Sequence, residues 1–382
     1  MSGMTRRERL MATLRGRPVD RPAVNFYEIS TLAPNADDPD EFNVCNHPSW
    51  RPLLKLAEDE TDLICMSSAG RSPAHPSCRS EFLSVKTYME NGSRFTRTTV
   101  KVAGRELTSL DRRDPEVNTI WNLEHLLKGP EDLEAYLELP DEFFAFEPDL
   151  APLEKAEELV ADRGIVMVDT GDPICEAAQL FSMEDYLVVA MTERSLFTRL
   201  LDKLSAPLYE FSRKVSAGFP EHLWRIYGPE YAGEPYMSPE LFDLYVGRYT
   251  KPIIEAIHDH GGYARLHMHG SIRSALPTIA EMGADGLDPI EPPPLGDVDL
   301  AYVRREFGKQ MVLFGNLESR DIENMPTEQF TEVVSRSLRE GTSGSGRGFV
   351  LMPSSCPYGR EIGDLVLANY QAMVRLAKEF TG

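Results

Sequence analysis

The chain has few cysteines, a deficit of basic residues, and no long apolar run. Each of these gaps narrows what the protein can be. Five cysteines (Cys45, Cys65, Cys78, Cys175 and Cys356) are scattered and odd in number over 382 residues. That pattern does not build a disulfide framework and points to reduced thiols. Lysine and arginine total 40 against 61 acidic residues, for a net charge of -21. Such a surface repels nucleic-acid phosphates and anionic lipid, so neither is expected as a partner. No apolar stretch reaches the roughly 18 residues a membrane span needs, and Met1-Ser-Gly-Met-Thr-Arg-Arg7 lacks a signal-peptide core, so a cytoplasmic protein is expected.

What the chain has is apolar mass and a regular alternation of patterns. With 42% hydrophobic residues it can bury a large core. Thr5 to Leu14 reads as a capped basic helix. Ala23 to Tyr27 and Asp62 to Met66 read as strands. Between Phe82 and Leu110 the period changes to two, and Asn91-Gly92 separates two alternating runs. This predicts an antiparallel meander inserted over 82–110. From Gly164 onward strands and helices alternate, with strands at Ile165 to Val168, His222 to Ile226, Tyr263 to Leu266, Gly286 to Ile290, Met311 to Phe314 and Gly348 to Met352. Parallel strands need crossovers, so eight such units predict one α/β domain over 1–382, a (β/α)8 TIM barrel, with a doubly wound sheet as the alternative.

In a barrel of this kind chemistry gathers at the carboxyl ends of the strands. Those positions are polar here: Tyr27 and Glu28, Asp169 to Asp172, Tyr227 with Glu230, His267 and His269, Glu291, Asn316, and Cys356 with Tyr358. His267 and His269 stand at i and i+2, which places both on one face of an extended strand. The pair alone is explained equally well by two hydrogen-bonded histidines. Adding Glu291 and Cys356 makes a four-ligand zinc set whose two negative charges balance the ion. Asp169, Tyr227 and Glu230 are the expected catalytic contacts, with Glu230 able to accept a proton, and Tyr27, Asn316 and Tyr358 are the expected substrate contacts. His258 and His260 sit at a helix end before Gly261 and read as structural. Cys175 reads as a packed thiol, and Gly341 to Gly348 as a linker.

Several stretches together carry a resemblance: Thr5-Arg-Arg-Glu-Arg-Leu-Met-Ala-Thr-Leu-Arg-Gly-Arg-Pro-Val-Asp-Arg-Pro22, Leu266-His-Met-His-Gly270, Met282-Gly-Ala-Asp-Gly-Leu-Asp-Pro289, Gly315-Asn-Leu317, and the last strand with Cys356. The chain resembles the uroporphyrinogen decarboxylase superfamily over nearly its whole length. That resemblance implies a (β/α)8 barrel, and either a metal-free porphyrinogen decarboxylase or a zinc methyltransferase that moves methyl groups to or from corrinoids or thiols. The methyltransferases carry His-x-Cys after the fifth strand and a Cys after the last. The similar barrel of cobalamin-independent methionine synthase adds a Glu. These positions fall on His267, His269, Glu291 and Cys356, with His269 in place of a cysteine. The decarboxylase arginines belong after the first strand, where this chain has Asn25-Phe-Tyr-Glu-Ile-Ser30, and Met66-Ser-Ser-Ala-Gly-Arg71 is only an echo.

The expected function is therefore a zinc-dependent methyltransferase acting between a methoxy or methylamine compound and a corrinoid or similar acceptor, demethylation included, with the corrinoid on a separate carrier protein. A metal-assisted decarboxylase or lyase on a small carboxylate is the alternative. A small-molecule binding barrel is a third.

Overall fold

The computed structural model describes residues 3–27, 29 and 38–381; Glu28, placed above at a strand end, lies outside them. One sheet holds eight parallel strands: β1 (Ala23–Val24), β2 (Leu63–Ser67), β3 (Gly164–Gly171), β4 (Leu223–Tyr227), β5 (Tyr263–His267), β6 (Gly286–Asp288), β7 (Val312–Phe314) and β8 (Phe349–Leu351). From β2 to β8 each strand pairs with its neighbour in chain order, and β8 pairs onto β1 with Ala23 opposite Val350, so β1 and β2 stand at the two ends of the sheet order. Asp62 links the two ends of this order, its N–H donating to the Val24 carbonyl at 2.7 Å. The curled sheet is consistent with the expected (β/α)8 barrel.

Alternation along the strands separates two apolar clusters. Ala23, Ile64, Ile165, Met167, Leu223, Val312, Phe314 and Val350 form one set with Leu10 and Leu14 of the first helix (Arg6–Leu14), which closes the amino end of the barrel interior. The intervening residues, Val24, Leu63, Val166, Trp224, Leu266, Leu287 and Leu351 among them, pack outward against the helices. The first helix begins at a capping box in which the Thr5 side chain accepts from Glu8 N–H while the Glu8 carboxylate accepts from Thr5 N–H. Gly286 faces the interior where a Cβ would lie 2.7 Å from the Phe314 ring, so this strand position has room only for glycine.

The expected meander is present and longer than expected. Its four antiparallel strands are Leu83–Glu90, Ser93–Val102, Arg105–Arg113 and Ile120–Glu124, so the insertion continues past 110. The added strand reads Ile-Trp-Asn-Leu-Glu, whose apolar residues are mostly exposed, which is why its period was hard to see. Asn91 and Gly92 both take positive φ, 49° and 80°, as a two-residue hairpin turn requires, and Ala103-Gly104 repeats the geometry. The meander forms one wall of a cleft of about 1080 Å³, whose other wall includes Gly171, Tyr227 and Tyr231 at the strand ends.

Asp62 holds the amino end together, accepting from Arg9 at 2.5 Å, Arg21 at 2.8 Å and Val24 N–H at 2.9 Å while fully buried. Asp62→Ala would remove the buried one of Arg9's two carboxylate partners, leaving only Asp20, and would strip Arg21 and the Val24 N–H of their acceptor. A loss of about 3–5 kcal/mol in unfolding free energy by chemical denaturation is expected, and a change within 0.5 kcal/mol would refute this role.

Candidate active site at the carboxyl ends of the strands

Strand parity builds the site. On β5 the inward residues are Tyr263, Arg265 and His267, and register places His267 opposite Asp288, the last residue of β6. Arg265 grips Asp288 with two nitrogens, Nε on Oδ1 and Nη2 on Oδ2 at 2.6 Å, and both residues are fully buried. The second oxygen also takes the His267 Nδ1 proton at 2.9 Å, with the Tyr27 hydroxyl 3.3 Å from the same nitrogen. Burial works against charge on Asp288, yet Arg265 and His267 hold its carboxyl well below the usual range. Burial also dominates at His267 and pushes it down to about 4, so this imidazole is neutral at physiological pH.

His269, one turn of chain further, lies edge-on to His267 with ring centroids 4.7 Å apart. Its Nδ1 is 3.1 Å from Glu291 Oε1, while Glu291 Oε2 accepts from Gly270 N–H at 2.7 Å. Gly270 has φ 82°, the left-handed conformation that turns its N–H toward the carboxylate. Burial opposes charge on both partners. Glu291 nevertheless raises the His269 pKa, and His269 with the Gly270 amide lowers that of Glu291. The loop behind Glu291 is tight, since a Cβ on Gly296 would lie 1.9 Å from the Glu291 carbonyl oxygen. Among the described residues neither imidazole Nε2 has a hydrogen-bond partner.

Around this pair stand the other expected residues. Arg225, inward on β4, lies over the rings of Tyr27 and Tyr227 and 3.4 Å from Asp169. Burial, then Asp169, pushes Tyr227 up to about 12, so it remains a hydroxyl donor. Glu230 accepts from Gly228 N–H at 3.1 Å, burial raises its pKa, and its charge acts on His269. Asn316 Oδ1 is enclosed and has no donor among the described residues. Tyr358 is not brought in: half of its surface, 51%, is exposed, and its side chain has no hydrogen bond among the described residues. Cys356 is half-buried, packs against the outer apolar shell, and lies near enough to Tyr370 to affect its ionisation. Among the described residues no three His, Cys, Asp or Glu side chains are grouped to hold a metal ion. Cys175 is the packed thiol expected, its N–H capped by Asp172 and its pKa raised by burial.

Sequence reasoning missed Asp288, Arg265, Arg225 and Glu318. Asp288 and Arg265 could have been found by continuing the i, i+2 count along β5 and β6. Glu318 follows Asn316 by two residues, beyond the point where strand-end reading stopped. The residue is 3% exposed, neither carboxylate oxygen has a donor among the described residues, and burial, then Glu291, pushes its pKa up to about 7.

A family model described as Uroporphyrinogen decarboxylase (URO-D) matches residues 122–380, from the last meander strand to the final helix. No curated protein matches the sequence. Among solved structures, a methyltransferase from Methanosarcina mazei aligns over 98% of this chain and 99% of its own, with TM-score 0.61 and 17% identity. A D-psicose 3-epimerase crystallised with D-fructose covers 64% of this chain and 78% of its own at TM-score 0.30 and 10% identity. The first is a likeness of fold, and the second is too distant to carry an argument.

The two imidazoles are expected to titrate on opposite sides of the ordinary histidine value near 6.5. In the metal-free protein, long-range nitrogen–proton NMR should show His267 neutral down to about pH 4 and His269 still protonated above pH 6.5. The unfolded chain then binds the extra proton at position 267 between pH 6.5 and 4, so this residue's contribution to stability falls as pH falls through that window. His269 has the reverse sign, its contribution being lost as pH rises through its raised pKa. Coincident titrations would contradict the arrangement.

Proposed function

From the premise that the chain belongs to the uroporphyrinogen decarboxylase family, we propose that it is a methyltransferase. It moves a methyl group between a small molecule of methoxy or methylamine type and a corrinoid or similar acceptor, with zinc bound at the two imidazoles and the corrinoid carried by a separate protein. The observation that carries this reading is the His267–His269 pair, in which each Nδ1 is tied to a carboxylate and each Nε2 is left open. That is the form in which histidine ligates a metal, the outer carboxylate fixing tautomer and ring orientation.

His267 and His269 are thus the residues that would hold the ion. The fit is to two donors, because Glu291 is engaged by His269 and Gly270 and Cys356 is not grouped with them. Bound zinc would supply Lewis acidity to an oxygen, or to a nitrogen in its unprotonated form, that gives or receives methyl. The chain's own residues do the rest. Arg265 and Asp288 orient His267, Glu230 holds a proton more readily than an exposed glutamate, and Tyr227 offers a hydroxyl at the cleft wall. The inward arginines favour this reading over decarboxylation of a polycarboxylate, since Arg265 is committed to Asp288 and Arg225 faces Asp169.

Purified without chelator, the wild type is expected to contain about one zinc per chain and His267→Ala less than a tenth of that. Reduced cobalamin should show a change of spectrum with a methoxy or methylamine donor, slowed about 10- to 100-fold in His267→Ala. A metal-free wild type, or transfer that survives the substitution undiminished, overturns the zinc reading.

A further inference from the structure

Most charged groups at the site are matched, and Glu230, which has no ion-pair partner among the described residues, accepts from the Gly228 N–H. Asp288 is met by Arg265 and His267, Glu291 by His269 and the Gly270 amide, and Asp169 by Arg225. Glu318 is left over. It lies on the turn after β7, close enough to Glu291, Arg320, Asp321 and His269 to be affected by their charges, yet it forms no ion pair with any described residue. Both carboxylate oxygens are enclosed, and neither accepts a hydrogen bond from any described residue. It stands at the start of the short helix Ser319–Asn324, but its side chain makes no capping bond there. Two residues earlier, the enclosed Asn316 Oδ1 also has no donor. This turn therefore presents three acceptor oxygens that receive no hydrogen bond among the described residues, whereas buried polar groups of folded proteins are almost always satisfied.

We propose that Glu318 is the anchor for a positively charged N–H donor, and that the small molecule acted on here is an amine bound as its ammonium ion. The proposal deepens the methyltransferase reading by choosing between its two substrate classes. An ammonium ion brings up to three N–H donors to acceptors that have none, and its charge offsets both the burial of Glu318 and the nearby carboxylate of Glu291. A methoxy oxygen carries no donor and would leave all three acceptors as they are. A water molecule could donate, but it would not neutralise a carboxylate beside Glu291. The net charge of -21 adds attraction for a small cation.

Calorimetric titration with methylammonium, dimethylammonium and tetramethylammonium chlorides and with methanol tests this. The wild type should bind methylammonium and dimethylammonium saturably. Tetramethylammonium, equally charged but without N–H, and methanol should bind at least about tenfold more weakly, and Glu318→Gln should weaken methylammonium binding about 10- to 100-fold. Should Glu318→Gln fail to fold by circular dichroism, the contrast of methylammonium with tetramethylammonium on the wild type still decides. No saturable methylammonium binding, equal affinity for tetramethylammonium, or unchanged binding in folded Glu318→Gln overturns the proposal. Methyl transfer from methoxy donors without ammonium binding would remove this inference and leave the methyltransferase reading. Ammonium binding with no transfer to any corrinoid would do the reverse.

Discussion

A carboxylate enclosed in the barrel, Asp288, has Arg265 on one side and the His267 imidazole on the other, and the upper half of the barrel interior is organised around it. A charge buried this deeply persists only when it is met by counter-charge and hydrogen bonds together. Here register fixes both, because β5 and β6 pair with His267 directly opposite Asp288. Removing the carboxylate would leave Arg265 unmatched among Tyr27, Phe314 and Met167, and would release the hydrogen bond that fixes which nitrogen of His267 is left open. Stability and chemistry therefore rest on the same bond.

Above this layer the interior changes character. Apolar residues fill the amino half and close it with the first helix, the Arg–Asp layer follows, and imidazoles and carboxylates come last. The two histidines differ because of this gradient. His267 lies at the buried edge and stays neutral, while His269 lies nearer solvent, where Glu291 and Glu230 raise its pKa against the effect of burial.

Much of this was legible beforehand, and the reasons differ from case to case. The eight strands were readable because parallel strands buried on both faces are short apolar runs, as in Ile165 to Val168. The hairpin at Asn91-Gly92 was readable because few other residue pairs accept two positive φ angles. The last meander strand was not, since Ile120, Trp121 and Leu123 stay exposed and show no clean alternation. At the site, His267, His269, Glu291, Glu230, Asp169 and Tyr227 could be named from strand ends, but Tyr358 follows the same rule and points away into solvent. Glu318 was invisible because nothing in a sequence marks a carboxylate as lacking a donor.

The sequence by itself determined the periodicities, and with them the strands, the meander, and the presence of two histidines on one face of an extended segment. These are local properties, set by side-chain spacing of two and by the conformations that Asn-Gly permits. Only the tertiary structure decided that His267 meets Asp288 while His269 meets Glu291, partners 21 and 22 residues away. Such pairings depend on the register between neighbouring strands, and register is settled by the packing of the whole curled sheet, in which a shift of one residue would turn every inward side chain outward.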